Sequence, residues 1–325
     1  MTTLVTGAGL IGASFALEAF KRGERVVFLD PEPREDFLRA KLGAKADYAL
    51  VRGDVRDLPA LISAIQTYKA SAVVHSAGLI GARVDAALYT ALQVNLLGTM
   101  NVAEAVRLTG VARLVHISTF GVYDGRREVT APVTEDFPRG GVGRGYAASK
   151  VAKELILEAY QRQHGFELVV LRPANVFGLG HFWSGSSGGE KMQALLEAGL
   201  TCQSAKLKTA DTIANEYIYA KDLGRAVDLA TTVPPPKQMA FNIGNGVVES
   251  FDAVMAAVRK LLPDLKVEVA AGEAGKSKTQ PLDISAAKAQ LQWAPAYSLE
   301  AAFADYLRDL RAIGPGAKAR LGGRN

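Results

Sequence analysis

Apolar and polar positions follow two alternating patterns along the first half of the chain. Short, mostly apolar runs predict buried strands, and the longer stretches between them, with apolar positions three or four residues apart, predict helices. The strand candidates are residues 2–6, 25–29, 48–52, 71–76, 111–118 and 167–172. The helix candidates are residues 13–21, 57–68, 86–108 and 146–163. This alternation predicts right-handed βαβ units and an α/β fold with a doubly wound parallel sheet of the Rossmann type.

A glycine-rich turn follows the first strand candidate, where the sequence reads TTLVTGAGLIG. In this G-x-G-x-x-G pattern, Gly7 permits a tight turn, Gly9 lets the backbone approach a pyrophosphate, and Gly12 lets the helix pack closely on the strand. Leu10 and Ile11 lie just before the predicted helix, and the unpaired amides at its start would face the phosphates. The pattern therefore predicts a dinucleotide site.

The second strand candidate runs into an acidic residue, Asp30, 18 residues after Gly12. A carboxylate at this place can accept a hydrogen bond from a ribose 2′-hydroxyl, and it repels a 2′-phosphate. We therefore expect NAD rather than NADP as the cofactor. Arg34 is close enough in the sequence to weaken this preference.

Tyr146 and Lys150 lie four residues apart and would share one face of the predicted helix. A free tyrosine has a pKa near ~10, and a neighbouring cation favours the phenolate and lowers that pKa. A general base for an alcohol needs such a tyrosine. Thr119 ends the fifth strand candidate, and its hydroxyl can position the substrate oxygen. These three residues are the candidate catalytic set.

Composition narrows the class of protein. The chain has 325 residues, of which 49% are hydrophobic, enough for one large or two intimate domains. The net charge of +5 is scattered, so we expect no nucleic-acid partner. The single cysteine, Cys202, excludes an internal disulfide and fits a reducing compartment. No signal peptide, membrane span or metal-ligand spacing is visible, so we expect a cytoplasmic protein without a metal site.

The regular alternation ends after the sixth strand candidate. A glycine-rich segment with two aromatic residues, 178–189, is expected to be a mobile loop. We predict an NAD-binding domain over residues 1–172, whose sheet and helices also receive residues from about 213–245. Residues 173–325 would mainly form a smaller C-terminal substrate-binding cap, with a disordered basic tail from about residue 314.

Further motifs come in a fixed order along the chain. They are GDVRD at 53–57, VVHSAG at 73–78, NLLGT at 95–99, STFGVY at 118–123, LRPANVFG at 171–178 and FNIG at 241–244. With the glycine turn and Y-x-x-x-K, they make the chain resemble the extended short-chain dehydrogenase/reductase family. That family contains NAD-dependent sugar epimerases, dehydratases and reductases, and the resemblance covers residues 2 to about 312.

The resemblance implies NAD as the cofactor and assigns roles to individual residues. Lys150 would hold the nicotinamide ribose, and Asn95 would support a proton relay. The implied cofactor residues beyond the glycine turn and Asp30 are Asp54, Val55, Ser76, Ala77, Gly78, Asn95, Ser118, Tyr146, Lys150 and Pro173. The candidate substrate-binding residues are Thr119, Asn175 and His181. The family also implies a homodimer, formed through helices 86–108 and 146–163, which are rich in alanine.

Departures from the family pattern narrow the expected reaction. Dehydratases carry an Asp-Glu pair where this chain has Phe120 and Gly121, neither of which can move a proton. Nucleotide-sugar enzymes usually have a diphosphate-binding arginine where this chain has Asn215, followed by Glu216. The glycine turn is also one residue shorter than the usual G-x-x-G-x-x-G.

Three functions remain open. The first is hydride transfer between NAD and a secondary hydroxyl or ketone of a small non-nucleotide substrate, such as a sugar, a sugar acid or another hydroxy compound. The alternative is an NAD-dependent sugar or nucleotide-sugar epimerase. The third is a non-catalytic NAD-binding regulatory protein, which the presence of both Tyr146 and Lys150 disfavours.

Overall fold

The computed structural model describes residues 1–140, 145–181 and 187–314. Its strands are β1 (Thr2–Thr6), β2 (Arg25–Asp30), β3 (Tyr48–Arg52), β4 (Ala72–His75), β5 (Arg113–Ile117), β6 (Glu167–Pro173), β7 (Asn175–Phe177), β8 (Ser204–Lys208), β9 (Asn215–Tyr219), β10 (Ala240–Ile243), β11 (Val248–Glu249) and β12 (Lys266–Ala270). All six strand candidates of the first half are present, with bounds shifted by two residues at most.

The helices alternate with these strands. They are α1 (Leu10–Lys21), α2 (Glu35–Leu42), α3 (Leu58–Tyr68), α4 (Ala82–Ala86), α5 (Leu88–Leu92), α6 (Gly98–Thr109), α7 (Gly145–His164), α8 (Ser187–Leu200), α9 (Ala220–Thr232), α10 (Phe251–Leu261), α11 (Ser285–Gln290) and α12 (Leu299–Ile313). Side chains cap several N-termini, as where Asp57 accepts from the Ala60 amide at 3.0 Å. None of the helices in the described ranges is long and apolar enough to cross a membrane.

The main sheet has seven parallel strands in the order β10-β6-β5-β4-β1-β2-β3. The strand order reverses direction between β1 and β4, and sheets of this kind bind ligands in the crevice beyond the carboxyl ends of the strands at this point. Strands β4 and β5 are buried along their whole length, as their apolar sequences predicted. The predicted Rossmann-type fold is confirmed.

The predicted helix 86–108 is interrupted. Helix α5 passes into a π-helical turn, Gln93–Leu97, before α6 begins. The turn points the Asn95 side chain inward, where its amide bonds both backbone groups of Leu79. A Cβ atom on Gly98 would lie 2.5 Å from Val55, so this glycine lets α6 approach the segment after β3. Such turns often occur at functional sites.

The later part of the chain adds a strand to the main sheet and a helix beside α1. Strand β10 extends the main sheet beside β6, and α9 packs along α1. Two small sheets, β11-β9-β7 and β12-β8, form the remainder. One hydrophobic core joins side chains from both halves, including Phe15, Phe28, Tyr217, Trp293 and Phe303. The predicted basic tail, from 315 onward, and the aromatic residues of the predicted loop, within 182–186, lie outside the described residues.

Candidate active site

The glycine turn lies at the carboxyl edge of the main sheet. Gly7 has a φ of +91°, which a residue with a side chain rarely adopts. A Cβ atom on Gly12 would lie 2.5 Å from the Gly7 carbonyl oxygen and 2.9 Å from Val5. Both glycines are therefore required by the close approach of α1 to β1, as the sequence pattern predicted.

Space for a dinucleotide phosphate exists at the start of α1. A Cβ atom on Gly9 would meet nothing within 4 Å, and no side chain caps the helix there. The amides of Leu10 and Ile11 lie in the first turn of α1, where the positive end of the helix dipole adds to their attraction for an anion. These features fit the pyrophosphate of NAD.

The turn after β4 crosses directly over the glycine turn. The Ser76 hydroxyl donates to the Thr6 carbonyl oxygen at 2.8 Å, and a Cβ atom on Gly7 would lie 3.2 Å from the Ala77 amide. A Cβ atom on Gly78 would lie 2.9 Å from the Asn95 amide oxygen. The predicted cofactor residues of this turn, Ser76, Ala77 and Gly78, are thus closely packed against the glycine turn and Asn95.

Asp30 ends β2 facing the same crevice. One carboxylate oxygen accepts from the Ala8 amide at 2.9 Å and the other from the Glu32 amide at 2.8 Å. Each oxygen keeps a second lone pair, which a ribose hydroxyl can use. Asp30 therefore anchors the shortened glycine turn as well as standing where the ribose is expected.

Two predicted cofactor residues, Asp54 and Val55, follow β3. Asp54 is held by Arg56, whose guanidinium donates at 3.0 and 2.7 Å, and this hydrogen bond lowers the pKa of Asp54. The Val55 side chain is buried against Gly98, and its carbonyl oxygen accepts from Asn101 at 3.1 Å. The Val55 side chain thus lies in the core, not in the crevice.

We expect Asp30→Ala to weaken NAD binding by about tenfold or more, because it removes a charge-assisted hydrogen bond to the ribose. It should also narrow the preference for NAD over NADP. Asp30→Asn removes the charge but keeps an acceptor for the Ala8 amide. Comparing the two variants therefore distinguishes the effect of the lost charge from the effect of a loosened glycine turn. Titration with both cofactors, with the exposed Asp36→Ala as control, measures the effect. If the wild-type protein preferred NADP, Arg34 rather than Asp30 would determine the choice of cofactor.

The three candidate catalytic residues come together at the ends of β5 and α7. The Thr119 hydroxyl accepts from the Gly121 amide at 3.1 Å and lies within hydrogen-bonding reach of the Tyr146 phenol. The Lys150 ammonium is 5.8 Å from the centre of the Tyr146 ring and donates to the Ile117 carbonyl oxygen at 2.7 Å. A substrate hydroxyl placed between Thr119 and Tyr146 can therefore bond to both.

The pKa of Tyr146 differs from the sequence-based expectation. Burial raises it to about 12, and the hydrogen bond with Thr119 opposes this only in part. Burial also lowers the pKa of Lys150 to about 8, against the attraction of Glu154. Desolvation thus dominates in the protein without NAD. The lowering by Lys150 stays a prediction for the protein with NAD bound, where the positive charge of oxidised nicotinamide would also favour the phenolate.

Asn95 and Ser149 connect the π-helical turn to the catalytic helix. The Asn95 amide nitrogen donates to the Ser149 hydroxyl at 3.2 Å, and that hydroxyl donates to the Tyr146 carbonyl oxygen at 2.8 Å. The buried Lys153, which the sequence pattern did not single out, donates to the Ala77 carbonyl oxygen at 3.2 Å. Burial drives the pKa of Lys153 well below its ordinary value. These hydrogen bonds hold helix α7 against the π-helical turn and the turn after β4.

A buried network of charged and polar side chains is centred on Glu154, which lies on α7 one turn after Lys150. The sequence analysis did not predict this residue. Glu154 forms a salt bridge with Arg172 at 2.7 Å, and both are almost fully buried. Ser118, a predicted cofactor residue, donates its hydroxyl to Glu154 instead. Arg172 also donates to the Tyr123 hydroxyl, which donates to Asn242 at 2.6 Å. The available signal was spacing, since Glu154 follows Lys150 by one helical turn.

The structure also places Pro173 and Asn175 at the carboxyl end of β6 and the start of β7. Pro173 is buried opposite Ile243. The Asn175 amide nitrogen donates to the Asn215 side chain at 2.8 Å and to the Glu216 carbonyl oxygen at 3.0 Å. Asn215 is therefore held by a neighbouring amide at the position where an arginine was expected.

Glu216, which follows Asn215 in the chain, has a structural role. Its side chain is fully buried, and its two oxygens accept from the Gly246 and Leu282 amides at 2.8 and 2.7 Å. Burial raises the pKa of Glu216, while these amides oppose the rise. The carboxylate thus points into the core and holds the Gly246 and Leu282 backbone in place.

His181 is turned inward as well. A Cβ atom on Gly189 would lie 2.3 Å from the His181 ring, so the ring packs against the start of α8. Burial lowers the pKa of His181 to about 4, with a hydrogen bond to the Val176 backbone opposing the shift. Its position favours a structural role over the predicted substrate contact. The described residues contain no cluster of side chains that could hold a metal ion.

Proteins of known function share this fold and sequence pattern. A UDP-glucose 4-epimerase of Mycolicibacterium smegmatis is 30% identical over 307 residues, covering 92% of this chain and 95% of that protein. A dTDP-glucose 4,6-dehydratase of Xanthomonas campestris is 28% identical over 328 residues, covering 92% and 90%. The crystal structure of a Bifidobacterium longum UDP-glucose 4-epimerase with NAD+ and UDP matches with a TM-score of 0.84 at 22% identity, over 98% of this chain and 100% of that chain.

Fold, glycine turn and sequence likeness together define an NAD-dependent enzyme of the extended short-chain dehydrogenase/reductase type. More specifically, the profile of the NAD dependent epimerase/dehydratase family matches residues 3–244. The chain belongs to this family, and the resemblance seen in its motifs is confirmed.

Proposed function

We propose that this protein transfers hydride between NAD and a secondary hydroxyl, or the corresponding ketone, of a small substrate without a nucleotide. The single observation that carries the proposal is the meeting of Thr119, Tyr146 and Lys150 at the carboxyl end of β5. When bound, NAD supplies the hydride acceptor or donor. The protein must then orient the hydroxyl and move its proton.

Each of the three residues has a distinct task in this chemistry. Thr119 fixes the substrate oxygen by a hydrogen bond, which holds the reacting carbon in place. Tyr146 takes the hydroxyl proton during oxidation and returns it during reduction. Lys150 carries positive charge next to the phenol, and its ammonium can bond the cofactor ribose once it leaves the Ile117 carbonyl. Burial keeps competing water away from this exchange.

The residues around Thr119 argue against elimination of water. Phe120 and Gly121 form the start of a short 3-10 helix, and neither can give or accept a proton. A dehydratase needs an acid and a base at the substrate in addition to the tyrosine. The relative that is named a dehydratase therefore supports the fold and cofactor of this chain more than its reaction.

Nucleotide diphosphates should bind this protein poorly, because Asn215 is a neutral amide already paired with Asn175. In a thermal-shift assay, NAD at about 100 times its Kd should add about 2.7 kcal/mol of stability. UDP and dTDP should add little, alone or with NAD. Glucose serves as the control for a nonspecific solute effect. A large UDP shift that adds to that of NAD would contradict the non-nucleotide substrate.

A nucleotide-sugar epimerase is the second candidate, and the 30% identity to the M. smegmatis UDP-glucose 4-epimerase favours it. An epimerase returns the hydride to the other face of the same substrate, so it keeps its NAD. A dehydrogenase releases the cofactor after each turnover. Measuring NAD in the denatured, freshly purified protein separates the two, since stoichiometric NAD favours the epimerase.

We also propose that the protein is a homodimer, through α6 and α7. Exposed apolar side chains cluster on these helices and the turn before them, with Leu97 42%, Met100 41%, Leu108 50% and Leu155 50% exposed. Tyr89 on α5 is 78% exposed nearby. Such a group of apolar side chains is typical of an interface. Two copies would pair these helices as a four-helix bundle.

Leu155→Glu should convert the dimer into a monomer, because the carboxylate would be buried without a partner. Light scattering should then give about half the wild-type mass, near the chain mass of 34.5 kDa. Val269→Glu, an equally exposed position on β12, is the matched control and should leave the mass unchanged. A wild-type mass equal to that of one chain would refute the dimer directly.

A further inference from the structure

Lys278 is a cation beside the candidate catalytic residues that the proposed chemistry does not use. Its ammonium lies 3.5 Å from the centre of the Phe120 ring. Phe120 directly follows Thr119 in the chain, so we expect the Lys278 charge to lie near the substrate. Cations bind over aromatic faces in this way, and the ring holds the ammonium in one position.

The backbone around Lys278 is fixed on both sides. Its amide donates to the Ala214 carbonyl oxygen at 3.0 Å, and the Ala214 amide donates to the Ser277 hydroxyl at 3.1 Å. This pairing ties the segment that carries Lys278 to the residue before Asn215. The lysine therefore lies between the start of β9 and the residue that follows Thr119.

No carboxylate in the described ranges lies within ion-pair distance of the Lys278 ammonium. Glu216 attracts it from further away, but the two Glu216 oxygens are already bonded to backbone amides. Burial lowers the pKa of Lys278 to about 8, against that attraction. A half-buried ammonium without a close counterion is costly, and an incoming anion recovers part of that cost.

We propose that Lys278 binds a carboxylate of the substrate, which makes the substrate a hydroxy acid or sugar acid. This inference rests on the proposed function and names its substrate class. A lysine is a point charge that can bind a carboxylate or a phosphate, and the neutral Asn215, where a diphosphate-binding arginine was expected, favours the carboxylate. The sequence offers Lys206, Lys208 and Lys278 as possible substitutes for the missing phosphate-binding arginine, and of these Lys206 and Lys208 are exposed on β8.

The test compares binding of acidic and neutral probes to the full chain with saturating NAD. The probes are D-glucuronate, D-galacturonate and lactate, with D-glucose as the neutral counterpart and UDP as the phosphate source. Lys278→Met removes the charge but keeps the length of the side chain, and Lys278→Arg restores the charge. Lys276→Met, at an exposed position two residues away, is the matched control.

We expect Lys278→Met to weaken binding of at least one acid by about tenfold to a hundredfold, as loss of a charge-assisted hydrogen bond should. Lys278→Arg should recover most of it, and glucose binding should not change. Equal loss for glucose, no acid binding more tightly than glucose, or a Lys278-dependent UDP affinity would each overturn the carboxylate assignment. Appearance of NADH is measured separately. Its absence with every probe would count against the proposed hydride transfer, while the binding result still decides the role of Lys278.

Discussion

Tyr146→Phe is expected to lower the turnover number by about 10²- to 10⁴-fold, the usual contribution of a positioned proton-transfer group. NAD binding should change little, because the ring and its packing remain. Lys150 keeps its bond to the Ile117 carbonyl oxygen in this variant. Turnover is followed by NADH formation, and NAD affinity by titration of the same preparation.

Tyr160→Phe is the matched control for that experiment. It removes a phenol from the same helix, α7, but 14 residues further along and away from Thr119. Its turnover should equal that of the wild type. If Tyr146→Phe retained more than about a tenth of the activity, another group would have to move the proton, and Tyr146 would lose the role of general base.

Glu154→Leu should lower the free energy of unfolding by about 3–5 kcal/mol, since it leaves a buried charge without its partner. Arg172 is only 3% exposed and would keep only the Tyr123 hydroxyl and the Glu135 carbonyl oxygen. Urea unfolding measures the change as a lower midpoint at constant slope. The exposed pair Glu104–Arg107 gives the control, where Glu104→Ala should cost less than about 1 kcal/mol.

The double variant Glu154→Leu with Arg172→Met separates the charge effect from simple loss of packing. Replacing both members of a buried pair by apolar side chains is often neutral or stabilising. The double variant should therefore be more stable than Glu154→Leu alone. If it were less stable by the sum of the two single changes, the salt bridge would not be the source of the loss.

The same pair predicts how stability depends on pH. Burial raises the pKa of Glu154, but the hydrogen bond and charge of Arg172, together with hydrogen bonds from Ser118 and Arg139, outweigh it and hold that pKa below its ordinary value of 4.5. The contribution is therefore complete above the unfolded-state pKa, and it is lost as the pH falls through the lowered one. Glu154→Leu should lessen the loss of stability in acid across that range.

Sequence pattern alone was sufficient for six of the seven strands of the main sheet and for the groups that are close together in the chain. The six strands are short apolar runs with clear ends, and Tyr146 and Lys150 share one helix, so local periodicity places them. The glycine turn is also local, and Gly7 and Gly12 have the backbone roles that the pattern predicts.

Contacts between distant segments could not be predicted in the same way. Arg172, Tyr123 and Asn242 each stood in a recognisable motif, yet nothing in those motifs says that they bond to one another beneath the site. The pairing of Asn175 with Asn215 and the inward turn of Glu216 likewise depend on how β7 and β9 align. The pKa of Tyr146 could not be predicted either, because burial depends on the whole fold.

The contact between Lys278 and Phe120 could not be predicted from the sequence either. Lys278 lies in an irregular segment, where neither helical nor strand periodicity indicates a direction for the side chain. Its meeting with Phe120 joins residues 158 positions apart in the chain. Only the folded structure distinguishes this lysine from the exposed Lys206 and Lys208.

The shared core limits how this chain could be recombined with its relatives. A cut after β6 would strip β10 from the edge of the main sheet and α9 from α1, and it would separate Asn242 from Tyr123. The first 172 residues would then expose apolar surface that the whole chain covers. An exchange of substrate specificity between relatives would therefore succeed only if α9 and β10 travelled with the N-terminal half, leaving the smaller sheets and the Lys278 segment as the exchangeable unit.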